Sequence, residues 1–297
     1  AATPEARQHI GMLVQAGDAV KRGQALFEDK KNPGVRFTSP ASGAVVAVNR
    51  GEKRAFQSVV IELDTADLKG QGGQVAFAAY TGNDPAGLGR DQIKALLIES
   101  GLWTSLRTRT FSKVPAPDTT PGAIFVTAMD TNPHAPNAEL VVKGHEKDFE
   151  RGLICVAKLT EGRTYLCKAR GASMPANPNT GIQIEEFEGI HPAGTVGVHI
   201  NRLAPVGHKK TVWHLNYQDV IAIGKLFGTG ELYVERVISL AGPSVNKPRL
   251  LRTRLGASTD EIKQISVEEG TKTIRMSGLS KVAQGITTIE EVEASSV

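Results

Sequence analysis

Mixed α/β and β modules are what this sequence predicts, and three observations carry the reading. Between Val14 and Val46, very short apolar runs are punctuated at close intervals by Gly17-Asp18, Arg22-Gly23, Asn32-Pro33-Gly34 and Pro40-Ala41-Ser42-Gly43, which is turn chemistry between short strands. From about Gly87 the pattern changes to alternating helical and strand segments, as in an open, largely parallel sheet. After Gly230 it returns to β.

The first region, residues 1–65, reads as a small flattened barrel of the biotinyl/lipoyl-like hammerhead type, covering about Ile10 to Leu63. Its last strand is the β-branched run Phe56–Leu63. Barrels of this kind present one lysine at a hairpin tip for acylation, here Lys30 or Lys31. Lys31 is one residue out of register with the place such lysines take ahead of Pro40, and the methionine flanks of the biotin version are missing. A structural barrel is therefore favoured, with a lipoyl- or biotin-type carrier or docking module as the alternative. The Gly-rich stretch Lys69–Gly73 reads as a hinge or an exposed loop.

The second region, residues 66–230, is expected to be a Rossmann-like open α/β domain. The segment Asp91–Gly101 puts Ile93, Leu96 and Leu97 on one helical face, with Gly101 placed to stop the helix. A strand is expected at Ala123–Thr127 and a helix over Glu146–Leu159, where Phe149, Leu153 and Val156 share a face. Strands follow at Thr164–Cys167 and Thr211–Leu215, the latter running into a helix over Gln218–Phe227. In the third region, residues 231–280, strands over Tyr233–Pro243 and Lys247–Ser258 precede a helix start at Ser258–Ile262. A strand–strand–helix–strand order of this kind suggests a β-grasp module. Residues 281–297 carry no strong pattern.

Composition narrows the functional classes. The 297 residues include 31 glycines and only 5% aromatics, which suits many short strands and turns better than long helical bundles. No apolar run approaches the ~18–20 residues that would cross a bilayer, and the first residues lack a signal layout. A soluble chain without its own membrane span is expected. The net charge of +4 gathers in Arg50–Arg54 and Arg249–Arg254. Without interleaved aromatics these patches suit a solvated or subunit-facing surface rather than nucleic acid. Two cysteines, Cys155 and Cys167, form no CxxC, the plain pattern of free thiols in a cytosolic compartment. The histidines show no metal-ligand spacing, and neither a Walker loop nor a nucleophile elbow is present.

The segment Trp103–Pro115 is the chemistry-bearing loop. Trp103 and Phe111 offer flat apolar surfaces, while Arg107, Arg109 and Lys113 offer donors for a carbonyl or phosphate oxygen. It lacks the glycines that let backbone N–H groups close on a dinucleotide phosphate. The loop reads equally as a binding loop or as a surface loop packed on the barrel. Asp130 and Asn132 follow a predicted strand at the edge where ligands bind in such folds; a helix cap or an Asx turn explains them equally well.

Longer strings carry a resemblance. Phe27–Val35, Asn49–Arg54, Glu99–Thr104, Leu106–Pro115, Phe125–Pro133, His191–Gly194, Asn216–Gly224 and Leu240–Pro243 resemble the A subunit of the bacterial Na⁺-translocating NADH:quinone oxidoreductase. That family is related to the C subunit of the ferredoxin-linked electron-transport complex. The resemblance covers nearly the whole chain. It implies a peripheral subunit on the cytoplasmic face of the bacterial inner membrane, one of six in a complex that oxidises NADH, reduces ubiquinone and exports Na⁺. It implies no cofactor, metal or catalytic residue in this chain, since NADH, flavins, iron–sulfur centres and the Na⁺ path belong to sister subunits. Where the relatives' flavin loop is Gly-rich, this chain has Arg107–Lys113, so a flavin- or NAD-binding electron-transfer subunit is only a second alternative. The third region resembles a soluble-ligand-binding β-grasp domain. The family continues past Leu279 while the match lapses at Lys281, so 281–297 is expected to open a truncated C-terminal region. A quinone needs an apolar slot for its ring and donors for carbonyl oxygens that gain charge on reduction. Met12, Trp103, Arg107, Arg109, Phe111 and Lys113 are the residues expected to contribute to, or lie beside, such a site.

Overall fold

A computed structural model describes residues 10–177, 181–207, 210–242, 245, 247–268, 274–284, 286 and 288–295. Two compact units divide them, one running through Asn132 and again from Asn137 to Val234, the other comprising Pro133–Pro136 and the chain from Glu235.

The larger unit begins with six strands: β1 (Ile10–Met12), β2 (Ala19–Val20), β3 (Ala25–Asp29), β4 (Arg36–Thr38), β5 (Gly43–Arg50) and β6 (Phe56–Leu63). They form two three-stranded antiparallel sheets, ordered β1-β3-β4 and β2-β5-β6. Val14, Val20, Leu26, Phe27, Val45 and Phe56 share one core, the adjacent Leu26 and Phe27 both being buried where the β3–β4 register shifts. There Phe27 stacks on Phe37 at 4.6 Å and meets Phe56 at 4.8 Å. Gly43 lets β5 and β6 close, because a Cβ at its position would stand 1.9 Å from the Glu62 carbonyl oxygen.

A short helix α1 (Thr65–Leu68), capped by the Asp64 side chain, leaves the barrel. The segment after it is an exposed loop at Lys69–Gln71 and Gly73, one of the two readings its glycines suggested, and it is fastened on either side. Asp67, 1% exposed, meets Arg22 at 3.0 Å, and Gly72 packs so tightly that a Cβ would lie 2.1 Å from the Asp67 Oδ1. Gln74 then donates to the Gly230 carbonyl and accepts from the Leu232 N–H, at 2.9 and 2.7 Å. These bonds join residues far apart in the chain, so no local pattern could announce them.

The α/β region carries α2 (Arg90–Glu99), β7 (Arg107–Arg109), β8 (Ala123–Ala128), α3 (Ala138–Val142), α4 (Glu146–Ala157), β9 (Arg163–Ala169), β10 (Ile182–Phe187), α5 (Val196–Leu203), β11 (Val212–Asn216) and α6 (Tyr217–Thr229). The sheet order is β10-β9-β8-β11-β7, parallel except for the antiparallel edge strand β7. As expected, Ile93, Leu96 and Leu97 are buried, and Gly101 follows α2 with φ 81°. A larger residue at Gly101 would also meet Thr38 of the barrel, whose hydroxyl donates to the Ser100 carbonyl at 2.8 Å. Barrel and sheet therefore meet at Thr38. Helices α4 and α6 cross with backbones almost touching at Gly152 and Gly224. On the α5 side of the sheet lie Phe125, Tyr165, Cys167, Phe187, Ile200 and Val212. Trp213 points to the other side and meets Trp103 edge-on at 5.5 Å.

The second unit pairs β12 (Glu235–Leu240) with β13 (Arg249–Arg254) antiparallel, then continues through α7 (Thr259–Glu268), α8 (Ile274–Ala283) and α9 (Ile289–Ser295). The two strands and the first helix follow the sequence reading. Residues 269–273, directly after α7, where the strand of a β-grasp order could fall, lie outside the described residues, and α9 stands in the stretch that showed no pattern.

Candidate functional site

In open α/β sheets, ligands bind outside the carboxyl ends of the strands where the chain order reverses. Here that point lies between β8 and β11: from β8 the chain moves outward to β9 and β10, then returns to β11 on the other side of β8. Asp130, Thr131 and Asn132 follow β8 at this edge, and Tyr217 follows β11. Asp130 makes an Asx turn, its Oδ1 accepting from the Asn132 backbone N–H at 2.8 Å, which settles that residue's local role. The Thr131 hydroxyl accepts from Gly194 N–H at 2.9 Å and meets His191 Nδ1 at 3.3 Å. These contacts clamp the loop ahead of α5 onto the end of β8. Asn216 caps α6 by accepting from Gln218 N–H. Burial, with the Asp130 charge beside it, raises the Tyr217 hydroxyl above its ordinary range.

Strand β7 brings part of the loop Trp103–Pro115 onto the edge of the same sheet. Its register pairs Arg107 with His214 and Arg109 with Val212. Directly opposed residues on an antiparallel pair share a face, so both arginines and His214 lie on the α5 side. Arg107 is half-buried and donates to the Thr104 and Leu106 carbonyls. Burial lowers its pKa, partly offset by Asp219 in the first turn of α6. Arg109 is exposed, and its guanidinium lies against Gly197 in the first turn of α5. His214 is pushed down to about 4, first by burial and then by Arg109 and Arg107. It is therefore a neutral imidazole at pH 7, with one donor and one acceptor nitrogen.

The other expected site residues go elsewhere. Trp103 is 1% exposed and donates its indole N–H to the Pro115 carbonyl at 2.8 Å. Its ring fills the core instead of facing solvent, because the turn Leu102–Ser105 packs under α6. Phe111 is 82% exposed at the tip of the turn after β7, with φ 67°. That tip runs past the start of β11, toward the opposite rim of the sheet. Lys113 returns beside Thr108 and stands 5.9 Å from the Phe111 ring centre. Met12 is half-buried in β1 and packs on the barrel core. Lys30 and Lys31 are exposed at the β3–β4 hairpin, where Asp29 accepts from the Lys31 N–H at 2.9 Å. A separate groove of about 410 Å³ lies between α3, the start of α4 and Ser173–Pro175. His214 and Gly197 carried no sequence signal, because only the β7–β11 register sets them beside the arginines.

Fold and site together define an α/β protein with a barrel module fastened to its sheet and Arg107, Arg109 and His214 on one face of its edge pair. Three family models match it in chain order: the NqrA N-terminal barrel-sandwich hybrid domain over 6–64, the NqrA second alpha/beta domain over 88–232 and the NQRA C-terminal domain over 237–278. The chain belongs to the NqrA family, the A subunit of the Na⁺-translocating NADH-quinone reductase. It is 56% identical to the Actinobacillus pleuropneumoniae (serotype 5b) protein of that name over 84% of this chain and 55% of the relative. The Shewanella amazonensis protein is 53% identical over 91% and 60%, and that of Neisseria meningitidis serogroup B 54% over 84% and 55%. The chain thus spans little more than half the length of these relatives. A solved NAD⁺-reducing [NiFe]-hydrogenase aligns over 65% of this chain and 41% of its own, at 13% identity and TM-score 0.43, a likeness too loose to carry an argument.

Proposed function

We propose that this chain acts as the A subunit of a Na⁺-translocating NADH:ubiquinone oxidoreductase. In this reading it is a peripheral, cofactor-free subunit on the cytoplasmic face of the inner membrane, and it contributes to the quinone-reduction site or borders it. The observation that carries the reading is the 56% identity, over 84% of the chain, to a relative bearing that name. Among the described residues no helix is long and apolar enough to cross a membrane, so this part of the chain would join the membrane through partner subunits. NADH, flavins, iron–sulfur centres and Na⁺ are assigned to those partners. The barrel is taken as a hammerhead kept for docking, and the β12–β13 unit as a soluble-ligand-binding β-grasp module.

Geometry supports placing the quinone headgroup at the switch-point crevice, with Arg107 and Arg109 as the charged contacts and Trp103 packed behind them. Cationic donors held where charge develops favour the reduced ring oxygens. Phe111 and Lys113 at the turn, and Met12 on the barrel, remain candidate contacts for the approach of the quinone. A photoreactive ubiquinone cross-linked to the assembled complex tests this. Labelled peptides of this chain are expected from the 104–109, 191–197 or 212–219 segments. Labels confined to other subunits would refute the placement.

A further inference from the structure

The geometry points to His214 as the residue that receives one ring oxygen of the quinone, hydrogen-bonding it beside the Arg109 guanidinium. This rests on the quinone reading above and goes beyond it by naming a residue that the loop Trp103–Pro115 does not contain. Three observations carry it. First, His214 stands directly across the β7–β11 ladder from Arg107, and Arg109 is two residues along the same face. This sets the imidazole on the α5 face of the sheet with both guanidinium groups close enough to act on it electrostatically. Second, no hydrogen bond or ion pair from the Arg109 or His214 side chain to another described residue is present, whereas the Arg107 side chain is engaged with Thr104 and Leu106. A half-buried imidazole that leaves its own hydrogen bonding to an outside partner is a costly arrangement unless a ligand or water supplies it. Third, the row that holds His214 continues into Phe125 of β8, and Val212 lies on the same face. The polar group therefore sits where an apolar wall gives way to charge, the boundary that a ring with a carbonyl at its edge requires.

The protonation state suits this role. Burial and the two arginines keep the imidazole neutral at pH 7. It can donate an N–H to a carbonyl oxygen without placing a third full charge beside the arginines. Arg109 then supplies the cation that stabilises negative charge on that oxygen.

The test uses the assembled complex carrying His214→Leu, His214→Gln or Arg109→Leu in the full-length protein, with ubiquinone-1 as the quinone. His214→Leu is expected to raise KM for ubiquinone-1 about tenfold, the value of one ~1.4 kcal/mol hydrogen bond. His214→Gln, which keeps an N–H donor, should recover part of that loss. Thermal melting of each variant complex separates a binding effect from a folding one. An unchanged KM in His214→Leu together with a raised KM in Arg109→Leu overturns the role of His214 and leaves the quinone reading standing. An unchanged KM in both overturns the two together. Equal loss in His214→Leu and His214→Gln overturns the hydrogen bond, since a donor would then confer no advantage.

Discussion

Replacing Gly224 by alanine should unfold this protein more readily, although alanine is the better helix former. Gly224 lies inside α6 where the helix crosses α4. A Cβ built there would stand 1.6 Å from the Asp148 carbonyl oxygen and 2.7 Å from the Gly152 nitrogen. Both obstacles are backbone, so no side chain can rotate away, and the helices must part by more than an ångström. The residues that would lose contact are the buried faces of α4 (Phe149, Leu153, Val156) and α6 (Val220, Ile223, Phe227). Overpacking of this kind costs about 1–3 kcal/mol and sometimes more. The gaps opened by separation add to it at ~24 cal/mol per Å³. Against that, alanine gains about 1 kcal/mol of helix propensity. At the upper end of that range the net loss is about 2 kcal/mol before any gap is counted, a drop of roughly 4–8 °C in Tm for a unit of this size. Differential scanning calorimetry measures it, with Gly197→Ala in α5 as control, because its Cβ would meet only the flexible Arg109 guanidinium at 3.4 Å. A Gly224→Ala chain that melts with the parent, or above it, would refute the close crossing.

Other predictions concern charge and reactivity. His214 titrates near 4 in the folded chain against an ordinary value of 6.5, so the unfolded state binds the extra proton between those values. Stability is then full above pH 6.5 and falls as pH drops toward 4, by roughly 2–3 kcal/mol from this residue; urea titrations from pH 7 to 4 should show a shallower fall in His214→Leu. Asp67→Ala should cost about 3–5 kcal/mol by leaving the 17%-exposed Arg22 side chain without its 3.0 Å partner, read as a lower urea midpoint at unchanged slope. Burial raises the Cys167 thiol to about 12 and the Cys155 thiol further, so neither should react with a thiol reagent at pH 8 until the chain unfolds. Intact mass of the protein from its native host should show unmodified Lys30 and Lys31; an added lipoyl or biotinyl mass would restore the carrier alternative.

Turn chemistry at Gly17, Gly23 and Asn32–Gly34, with β-branched residues at Phe56–Leu63, made the strands of the barrel legible. Helical periodicity did the same for α2, α4 and α6, because burial of Ile93, Leu96 and Leu97 or of Phe149, Leu153 and Val156 follows from local spacing alone. Strand β7 was not legible. Arg-Thr-Arg has no apolar alternation, and it is extended only because β11 offers an unpaired edge. The loop that looked like one binding surface was divided by that pairing. Trp103 turned into the core, Arg107 and Arg109 came to the sheet face that holds His214, and Phe111 was carried past the start of β11.

The sequence by itself determined the barrel, the succession of strands and helices, the family, and the arginines worth attention, since each rests on neighbours in the chain or on long specific strings. Tertiary structure decided what those arginines face. The β7–β11 register, the Gln74 ties to Gly230 and Leu232, and the Gly152–Gly224 crossing all join residues far apart in sequence. Their energies exist only once both partners are in place, so local composition leaves no trace of them.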